Sequence, residues 1–346
     1  MKTGLSPYLD LSAARRKTVC EEAGAQLGLA AASIEKDYWI CWTLRELFEL
    51  DDHGAKLTFK GGTSLSKGWK LIDRFSEDID IVVSRTALGF GGGDAPDAVG
   101  ISNKERERRL ERLGGACGSF VQNELKSALR ERVGERLAGR GNWKLENDAA
   151  DPAGQTLLLQ YPSEFETGPY VRPLVKIELG ARSDTEPIEQ PDITTYLADA
   201  LPILLPDSAF SIRTVAPERT FWEKAMLLHE EAQRGTTAPP APRLSRHYYD
   251  VWCLITKGVA ERAEHDTELF ERIAAHRAVF FKKNRAAQES LRRGRLKLLP
   301  RLEHMAVWKR DYESMREAMF FGTPPEFDSI LAVVRDFETR FNAGGG

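Results

Sequence analysis

The sequence predicts an α/β (α+β) fold, in which a core with a small mixed sheet is followed by a mainly helical C-terminal half. Short β-type segments, among them QTLLLQY and VKIELG, lie in the first part of the chain. Beyond Pro206 the apolar spacing becomes helical, starting with a long segment that Pro217 opens. We therefore predict an α/β domain with N-terminal helices at 1–205 and a helical domain at 206–346.

Residues 11–50 precede the first predicted strand and have helical spacing. Ile34, Trp39 and Leu44 fall on a broad apolar face of this region. The charged run at 35–37 marks the start of a helix. We expect a packing helix that leads into the first strand.

The composition is that of a soluble globular protein with an ample core. The chain has 346 residues, of which 42% are hydrophobic and 29% are charged, and this length suits two domains. No apolar run is long enough to span a membrane, and the N-terminus lacks the apolar stretch of a signal peptide, so we expect a cytoplasmic protein without membrane contact. Four scattered cysteines without CxxC pairing predict reduced thiols, and neither a zinc site nor a disulfide framework.

A glycine turn between a strand and a helix is the first feature that suggests chemistry. The stretch LTFKGGTSLSK at 57–67 begins with residues that suit a strand, and Gly61 and Gly62 then permit a tight turn. Thr63 or Ser64 can cap the helix that follows. A helix start opened by glycines leaves backbone N–H groups that can bind phosphate oxygens. The sequence therefore predicts a phosphate-binding turn.

Paired carboxylates follow on the next predicted strand. The helix is expected to continue through Trp69 and Ile72 before the chain reverses, and alternation then places Asp78 and Asp80 on one face of a strand. Adjacent carboxylates repel each other unless a cation binds between them, and oxygen ligands suit Mg²⁺ that bridges nucleotide phosphates. Glu178 in VKIELG supplies the third carboxylate that two-metal phosphoryl transfer commonly uses. Acidic alternation alone is also typical of a solvated strand face.

A strongly basic segment lies in the C-terminal part, where we expect helices to continue to about Phe341. Between Arg272 and Arg310 there are twelve Lys or Arg residues and only two acidic ones, although the net charge of the chain is −3. Such a segment can bind an RNA backbone with strongly salt-dependent affinity, or it can be an exposed helix face. We expect its aromatic residues to lie in the core. The candidate RNA-binding residues are Lys282, Lys283, Arg285, Arg292, Arg293, Arg295 and Lys297.

Several of these segments together resemble a known family. The motifs are FKGGTSLSK (59–67), RFSEDIDI (74–81), VKIELG (175–180), ERTFWEKA (218–225) and SRHYYDVW (245–252). Their order and spacing are similar to those of the DNA polymerase β-like nucleotidyltransferase superfamily, and more closely to its AbiEii/AbiGii toxin branch. The resemblance covers roughly the first 250 residues.

The resemblance implies an α/β nucleotidyltransferase core and a metal-dependent reaction. The enzyme would transfer a nucleoside monophosphate from a nucleoside triphosphate (NTP) to an acceptor, with Mg²⁺ or Mn²⁺ as cofactor and RNA as the acceptor of some relatives. It also implies a toxin–antitoxin pair whose partner is a winged-helix antitoxin. In this reading the helical domain completes the active site and carries the basic surface.

The resemblance also implies roles for particular side chains. Lys224 on a helix would reach the triphosphate as a point charge, and Asp250 would orient Lys224 or bind the sugar. Without the family, Lys224 suits a surface i,i+4 pair and Asp250 a carboxylate at a helix start. The chain departs from the commonest pattern because its third carboxylate is a glutamate. The implied catalytic residues are Asp78, Asp80, Glu178, Lys224 and Asp250, the metal ligands are Asp78, Asp80 and Glu178, and the nucleotide-binding residues are Gly61, Gly62, Thr63, Ser64, Lys67 and Lys224.

Ser76 and two histidines are further candidates. In an extended strand the Ser76 hydroxyl faces the same side as Asp78, so a phosphate on Ser76 would block metal or nucleotide binding. The alternative is a serine that only forms a hydrogen bond in the turn. His229 and His247 lie near the predicted site in the sequence, but without HxxxH or His–Cys spacing they are not expected to bind metal.

Three functions are compatible with these observations. The first is a nucleotidyltransferase toxin that modifies RNA, favoured at the 3′ end of tRNA, within a toxin–antitoxin and phage-defence pair. The second is the same enzyme acting on protein hydroxyls or small molecules. The third is a catalytically silent module that binds nucleotide and a partner. The basic segment favours a nucleic acid acceptor, and the intact Asp78 and Asp80 argue against the silent module.

Overall fold

The fold is that of a computed structural model of the chain, which divides into two compact units. Unit 1 comprises Met1–Trp69 and Phe75–Thr214, and unit 2 comprises Lys70–Arg74 and Val215–Gly346. The predicted domain boundary after residue 205 stays a prediction. The structure describes residues 4–165, 172–234, 239–281, 285–320 and 322–344.

Unit 1 is built on a mixed sheet of seven strands in the order β3-β4-β5-β2-β1-β9-β6. Its central pairs are β1 with β2, which run antiparallel, and β2 with β5, which run parallel. A separate pair joins β7 and β8. This mixed sheet confirms the predicted α/β character of the first part of the chain. The strands are β1 (Leu57–Lys60), β2 (Asp78–Val83), β3 (Lys144–Asn147), β4 (Thr156–Gln160), β5 (Leu174–Gly180), β6 (Ile188–Glu189), β7 (Asp192–Ile193), β8 (Phe210–Ser211) and β9 (Thr214–Val215).

The helices of unit 1 flank this sheet. The longest helix, α3, contacts both β2 and β5, and its buried residues include Ile34, Trp39 and Leu44, as the apolar spacing predicts. A π-helical segment at Phe120–Leu125 joins two charged helices. The helices are α1 (Ser6–Leu9), α2 (Ala13–Leu27), α3 (Ala31–Phe48), α4 (Gly61–Lys67), α5 (Asn103–Ser119), α6 (Lys126–Arg136) and α7 (Tyr196–Ala200).

Unit 2 is helical, as predicted. Trp222 lies at the centre of an aromatic core, with its ring 4.9 Å from Phe270 and 5.1 Å from Phe341 between centroids. Pro217 occupies the first turn of α8, where its missing N–H group costs no helical hydrogen bond. The helices are α8 (Pro217–Ala232), α9 (Arg246–Thr256), α10 (Val259–His265), α11 (Thr267–Phe280), α12 (Arg285–Ser290), α13 (Met305–Met319) and α14 (Phe327–Ala343).

A predicted helix end and a predicted uninterrupted helical run are wrong. Helix α4 ends at Lys67, so Trp69 and Ile72 lie outside it. The expected helical run to about Phe341 is interrupted at 291–301, where the backbone forms turns and irregular structure. Gly294 in a left-handed conformation and Pro300 both disfavour a helix there.

The described residues also bear on two predictions from composition. All four cysteines are buried free thiols, as the scattered spacing predicts. In the described part of the chain, no helix has both the length and the apolar character that crossing a membrane requires.

Candidate active site

Gly61 brings the backbone of the glycine turn against the carboxylate of Asp80. Its φ of +83° is a conformation that side-chain-bearing residues rarely adopt. A Cβ atom at Gly61 would lie 2.0 Å from Asp80 Oδ2, a distance that no real contact allows. Only glycine therefore permits this approach. In unit 1 the turn predicted to bind phosphate lies directly beside a carboxylate predicted to bind metal.

Strand β2 presents its acidic residues as the alternation predicts. Asp78 and Asp80 are half-buried, whereas Ile79 between them is fully buried. Because β2 and β5 pair in parallel with Asp80 opposite Glu178, these two side chains occupy neighbouring positions on one face of the sheet. The structure thus brings the three predicted metal carboxylates onto adjacent central strands.

Glu178 is engaged by a residue of its own strand. Lys176 Nζ lies 2.5 Å from Glu178 Oε1, and this hydrogen bond raises the pKa of Lys176. Among the residues that the structure describes, no three His, Cys, Asp or Glu side chains form a group that could hold a metal ion. The metal role of Asp78, Asp80 and Glu178 stays a prediction.

Thr63 and Ser64 are fully buried in α4 and hold the turn in place. The N-cap of α4 is Lys60, without a side-chain capping bond, so the predicted capping by Thr63 or Ser64 is wrong. Ser64 Oγ donates to the Gly61 carbonyl oxygen at 2.9 Å. Thr63 Oγ1 lies within hydrogen-bond distance of the Asp78 carbonyl oxygen. Both hydroxyls thus stabilise the turn and its contact with β2, and their predicted nucleotide contacts stay predictions.

Ser76 forms part of the same hydrogen-bonded group. Its hydroxyl lies 2.9 Å from Thr63 Oγ1, within hydrogen-bond distance. This contact agrees with the alternative prediction, in which Ser76 only forms a hydrogen bond in the turn. The regulatory role of Ser76 stays a prediction.

Lys67 is buried between two helices of unit 1. Its Nζ lies 2.7 Å from Asp37 Oδ1 and 3.6 Å from the centroid of the Tyr196 ring. Burial by itself lowers the pKa of Lys67, but Asp37 raises that pKa above the ordinary value. Asp37 Oδ2 also accepts a hydrogen bond from Tyr196 N at 2.7 Å. Through these contacts Lys67 links α4 to α3 and α7, and its predicted contact with nucleotide stays a prediction.

The prediction that the charged run at 35–37 starts a helix is wrong. Helix α3 begins at Ala31, so residues 35–37 lie inside the helix and not at its start, and all three are buried. Lys36 Nζ lies 2.5 Å from Glu77 Oε2, and Glu77 directly precedes the first acidic residue of β2. Three consecutive charges within an otherwise apolar helix were the signal of buried ion pairs. The pair of Lys36 and Glu77 holds the beginning of β2 in position.

In unit 2, Lys224 and Asp250 form a buried ion pair. Lys224 Nζ from α8 lies 2.8 Å from Asp250 Oδ2 on α9, with 8% of Lys224 and none of Asp250 exposed. The alternative prediction of a surface i,i+4 pair for Lys224 is therefore wrong. The observed contact is compatible with Asp250 orienting Lys224. The catalytic role of both residues stays a prediction.

Arg74 is a third member of this cluster that sequence analysis missed. Its Nε lies 2.7 Å from Asp250 Oδ1 and its Nη2 lies 2.8 Å from Asp250 Oδ2, which is bidentate pairing. Arg74 is 2% exposed. The only signal in the sequence was its position four residues before Asp78, in RFSED.

The electrostatics of the cluster keep its members in definite charge states. Burial alone would raise the pKa of Asp250, but Arg74 and Lys224 hold it far below its ordinary value, so Asp250 is ionised. Lys224 Nζ also lies 3.4 Å from His247 Nδ1. Burial and Lys224 lower the pKa of His247 well below its ordinary value, so the imidazole is neutral and Nδ1 can accept a hydrogen bond from Lys224. Two cations thus contact one carboxylate.

The basic segment presents several cations on a firmly anchored stretch. Arg292, Arg295 and Lys297 are exposed, whereas Arg293 lies 5.2 Å from the centroid of the Phe341 ring. Arg285 is the first residue of α12. The predicted RNA-binding residues Lys282 and Lys283 lie outside the described residues.

Backbone contacts hold this stretch against the helices of unit 2. Leu296 N donates to Asn342 Oδ1 at 2.9 Å, and Asn342 Nδ2 donates back to the Leu296 carbonyl oxygen at 2.8 Å. Lys297 N donates to His229 Nδ1 at 2.9 Å, so His229 serves the structure of the segment. Phe280 and Trp308 are buried, as the sequence predicts for the aromatic residues of this region, whereas Phe281 is only half-buried.

The mixed sheet holds a glycine turn against an acidic strand, which is the arrangement expected of a nucleotidyltransferase core. The sequence model of the nucleotidyl transferase AbiEii toxin family, of type IV toxin–antitoxin systems, matches residues 42–333. This match covers most of the chain, and the protein belongs to that family. The predicted family and enzyme class are confirmed. Membership implies an antitoxin partner.

Two solved structures are similar over most of their length at low sequence identity. MenT4, a nucleotidyltransferase toxin from Mycobacterium tuberculosis H37Rv, is 16% identical with a TM-score of 0.40, covering 96% of this chain and 94% of that chain. JHP933 from Helicobacter pylori is 13% identical with a TM-score of 0.35, covering 84% of this chain and 95% of that chain. No curated protein matches this chain.

Proposed function

We propose that this toxin transfers a nucleoside monophosphate from an NTP to the 3′ end of tRNA, with Mg²⁺ or Mn²⁺ as cofactor. It would act in the cytoplasm as part of a phage-defence pair with a winged-helix antitoxin. The observation that supports the proposal most strongly is the approach of the Gly61 backbone to the Asp80 carboxylate. A phosphate bound at the turn would meet a metal ligand without any rearrangement of the chain.

The residues present fit a divalent cation. Mg²⁺ is usually held in proteins by one or two carboxylates together with substrate phosphates, so a cage of three protein ligands is not required. Asp78 and Asp80 would hold the cation, and Glu178 would join them once Lys176 releases it. When bound, the metal would neutralise phosphate charge and lower the pKa of the attacking hydroxyl.

The protein itself would perform two further tasks. The backbone N–H groups from Gly61 to Ser64 would bind phosphate oxygens, with Thr63 fixing the turn against β2. Lys224 would bind the triphosphate as a cation, oriented by Asp250. Both tasks position charge where it develops during transfer, which is the principal means of catalysis in phosphoryl transfer.

The choice of RNA as acceptor depends on the basic segment. Arg292, Arg295 and Lys297 lie exposed on an anchored stretch, so their charges can meet a phosphate backbone with little ordering of the chain. Acceptors without a polyanionic backbone would gain nothing from this surface.

The test is the transfer of label from each of the four NTPs, with Mg²⁺ or Mn²⁺, to tRNA that is intact or lacks its 3′ end. We expect label only on intact tRNA, and a loss of at least 10³-fold in Asp80→Ala because the metal site loses a ligand. Asp52→Ala, which removes an exposed carboxylate of unit 1, is the matched control and should transfer normally. Label on protein or on small molecules in a cell extract would replace tRNA with that acceptor. Equal transfer by Asp80→Ala and the unaltered protein would overturn the mechanism.

A further inference from the structure

The cluster of Arg74, Lys224 and Asp250 contains two basic side chains and one carboxylate. Arg74 binds both oxygens of Asp250, through Nε at 2.7 Å and Nη2 at 2.8 Å. Lys224 shares one of those oxygens at 2.8 Å. Within this group of three, two basic side chains thus share one carboxylate, and neutral His247 adds no charge to it.

The geometry divides the cluster into a closed pair and an open cation. Arg74 and Asp250 are 2% and 0% exposed and form a bidentate pair, which satisfies the fork of the guanidinium and both carboxylate oxygens. Lys224 has one contact with the carboxylate and is the most exposed of the three at 8%. The ammonium group has three donors, of which Asp250 and His247 accept two, so a third can serve an incoming anion.

A second basic side chain on one buried carboxylate needs an explanation, because burying any ion is costly. A buried pair of Lys224 and Asp250 alone would be neutral and would need no arginine. Arg74 has a role if the charge of Lys224 is to be compensated by an anionic ligand when that ligand binds.

We propose that Arg74 is a positioning residue that neutralises Asp250 and so reserves the charge of Lys224 for a phosphate group. The inference rests on the proposed function, because it takes Lys224 as the contact with the triphosphate. Arg74 itself need not touch the nucleotide. Without Arg74, Asp250 would pair with Lys224 alone, and the resulting neutral pair would attract phosphate weakly.

The test is equilibrium binding of inorganic triphosphate and of a non-hydrolysable NTP analogue to purified full-length variants. Arg74→Gln should weaken the binding of both probes by roughly tenfold or more, and equally for both, because the effect concerns phosphate charge and not the base. Arg74→Lys keeps the charge and should lose less than Arg74→Gln. In a Lys224→Met background, Arg74→Gln should have no further effect on either probe.

A double variant separates the charge effect from damage to the fold. Arg74→Gln with Asp250→Asn removes the carboxylate that would otherwise neutralise Lys224, so this variant should bind triphosphate more tightly than Arg74→Gln alone. Simple structural damage predicts the opposite, because the double variant loses more native contacts. Circular dichroism would test whether each variant is folded. If Arg74→Gln does not fold, triphosphate binding by Arg74→Lys is compared with that of the unaltered protein instead.

Binding by the double variant no tighter than by Arg74→Gln would overturn the inference, as would unchanged binding by folded Arg74→Gln. The proposed function has its own outcome. If Asp80→Ala abolishes transfer while Arg74→Gln binds triphosphate normally, the transferase function stands and only the role of Arg74 fails. If the unaltered protein binds no NTP, the proposed function fails with it.

Discussion

At the scale of single residues, the missing side chain of Gly61 lets the backbone of the turn approach the carboxylate of Asp80. Glycine is required at this position for two reasons. The φ of +83° disfavours other residues, and a Cβ atom would lie only 2.0 Å from Asp80 Oδ2. Backbone strain and steric exclusion are separable, because another glycine of unit 1 meets the first requirement without the second. Gly89 has a φ of +86° and no atom within 4 Å of a built Cβ.

We predict that Gly61→Ala abolishes nucleotide transfer while Gly89→Ala does not. Both alanines are strained by about 1–2 kcal/mol of unfolding free energy, but only the alanine at 61 displaces the Asp80 carboxylate. Urea unfolding measures the strain and labelled-nucleotide transfer measures the function. Transfer by Gly61→Ala at the level of Gly89→Ala would show that the contact with Asp80 is irrelevant to the reaction.

The charge state of Lys224 leads to a prediction about pH. Burial lowers the pKa of Lys224, as do Arg74 and Arg246, whereas Asp250 raises it, and the net direction is downward. His247, the remaining neighbour, is already neutral at these pH values. Binding of triphosphate needs protonated Lys224, so affinity should fall as pH rises, and it should do so at lower pH than with an ordinary lysine. Binding isotherms of inorganic triphosphate between pH 7 and pH 9.5 test this, and Lys224→Met should remove the dependence. A flat profile in the unaltered protein would contradict it.

At the scale of elements, the sequence predicted what depends on local pattern and missed what depends on distant partners. The alternation of Asp78 and Asp80 on β2 and the start of α8 at Pro217 follow from the nearest residues, and both are confirmed. Arg74 and Asp250 are 176 residues apart, and no periodicity connects them. Their pairing is a product of tertiary packing.

Local pattern also failed where buried charges or backbone conformation override it. The run 35–37 suggested a helix start because charged residues favour helix ends, yet each of the three charges is buried inside α3. Partners outside the helix compensate these charges, such as Glu77 for Lys36 and the Ser163 hydroxyl for Glu35, and a window of sequence cannot contain such partners. The same limit applies to Lys67, whose partner Asp37 lies on another helix.

The pairing of α4 with α3 gives a prediction about stability. Lys67→Met leaves Asp37 buried without its cation, so the free energy of unfolding should fall by about 3–5 kcal/mol. Asp37→Asn with Lys67→Met should recover part of that loss, because the uncompensated charge is gone. Urea unfolding at pH 7 measures both. The exposed pair of Arg15 and Glu22 is the control, and Glu22→Gln should change the free energy of unfolding by less than about 1 kcal/mol.

This experiment also decides between two roles for Lys67. A folded Lys67→Met of unchanged stability that has lost NTP affinity would restore the contact with nucleotide that its place in FKGGTSLSK implied. Lower stability with unchanged NTP affinity per folded molecule would show that Lys67 stabilises the packing of α4 against α3.

At the scale of the whole molecule, charge is distributed unevenly. The chain has a net charge of −3, so attraction of RNA cannot come from overall charge and must depend on local cations. The exposed Arg292, Arg295 and Lys297 lie within eleven residues that depart from helical structure and are anchored through His229 and Asn342. Fixed cations lose little conformational entropy when they bind a polyanion.

We predict that changing Arg292, Arg295 and Lys297 together to glutamine weakens tRNA binding and reduces its salt dependence. Each lost phosphate contact lowers the slope of log K against log salt by about 0.7–0.9, so the slope should fall by roughly 2–3. The KM for NTP should stay unchanged, because these cations are assigned to the acceptor and not to the triphosphate. Electrophoretic mobility or anisotropy titrations at several salt concentrations measure the slope.

The matched control removes the same charge from another exposed surface. Lys104, Arg108 and Arg112 lie exposed on α5, and their joint change to glutamine alters net charge by the same three units. If attraction depended on net charge alone, both triple variants would lose tRNA affinity equally. A selective loss in the variant of the basic segment establishes a defined acceptor surface, whereas equal slopes in that variant and the unaltered protein would move the search for the acceptor site elsewhere on the molecule.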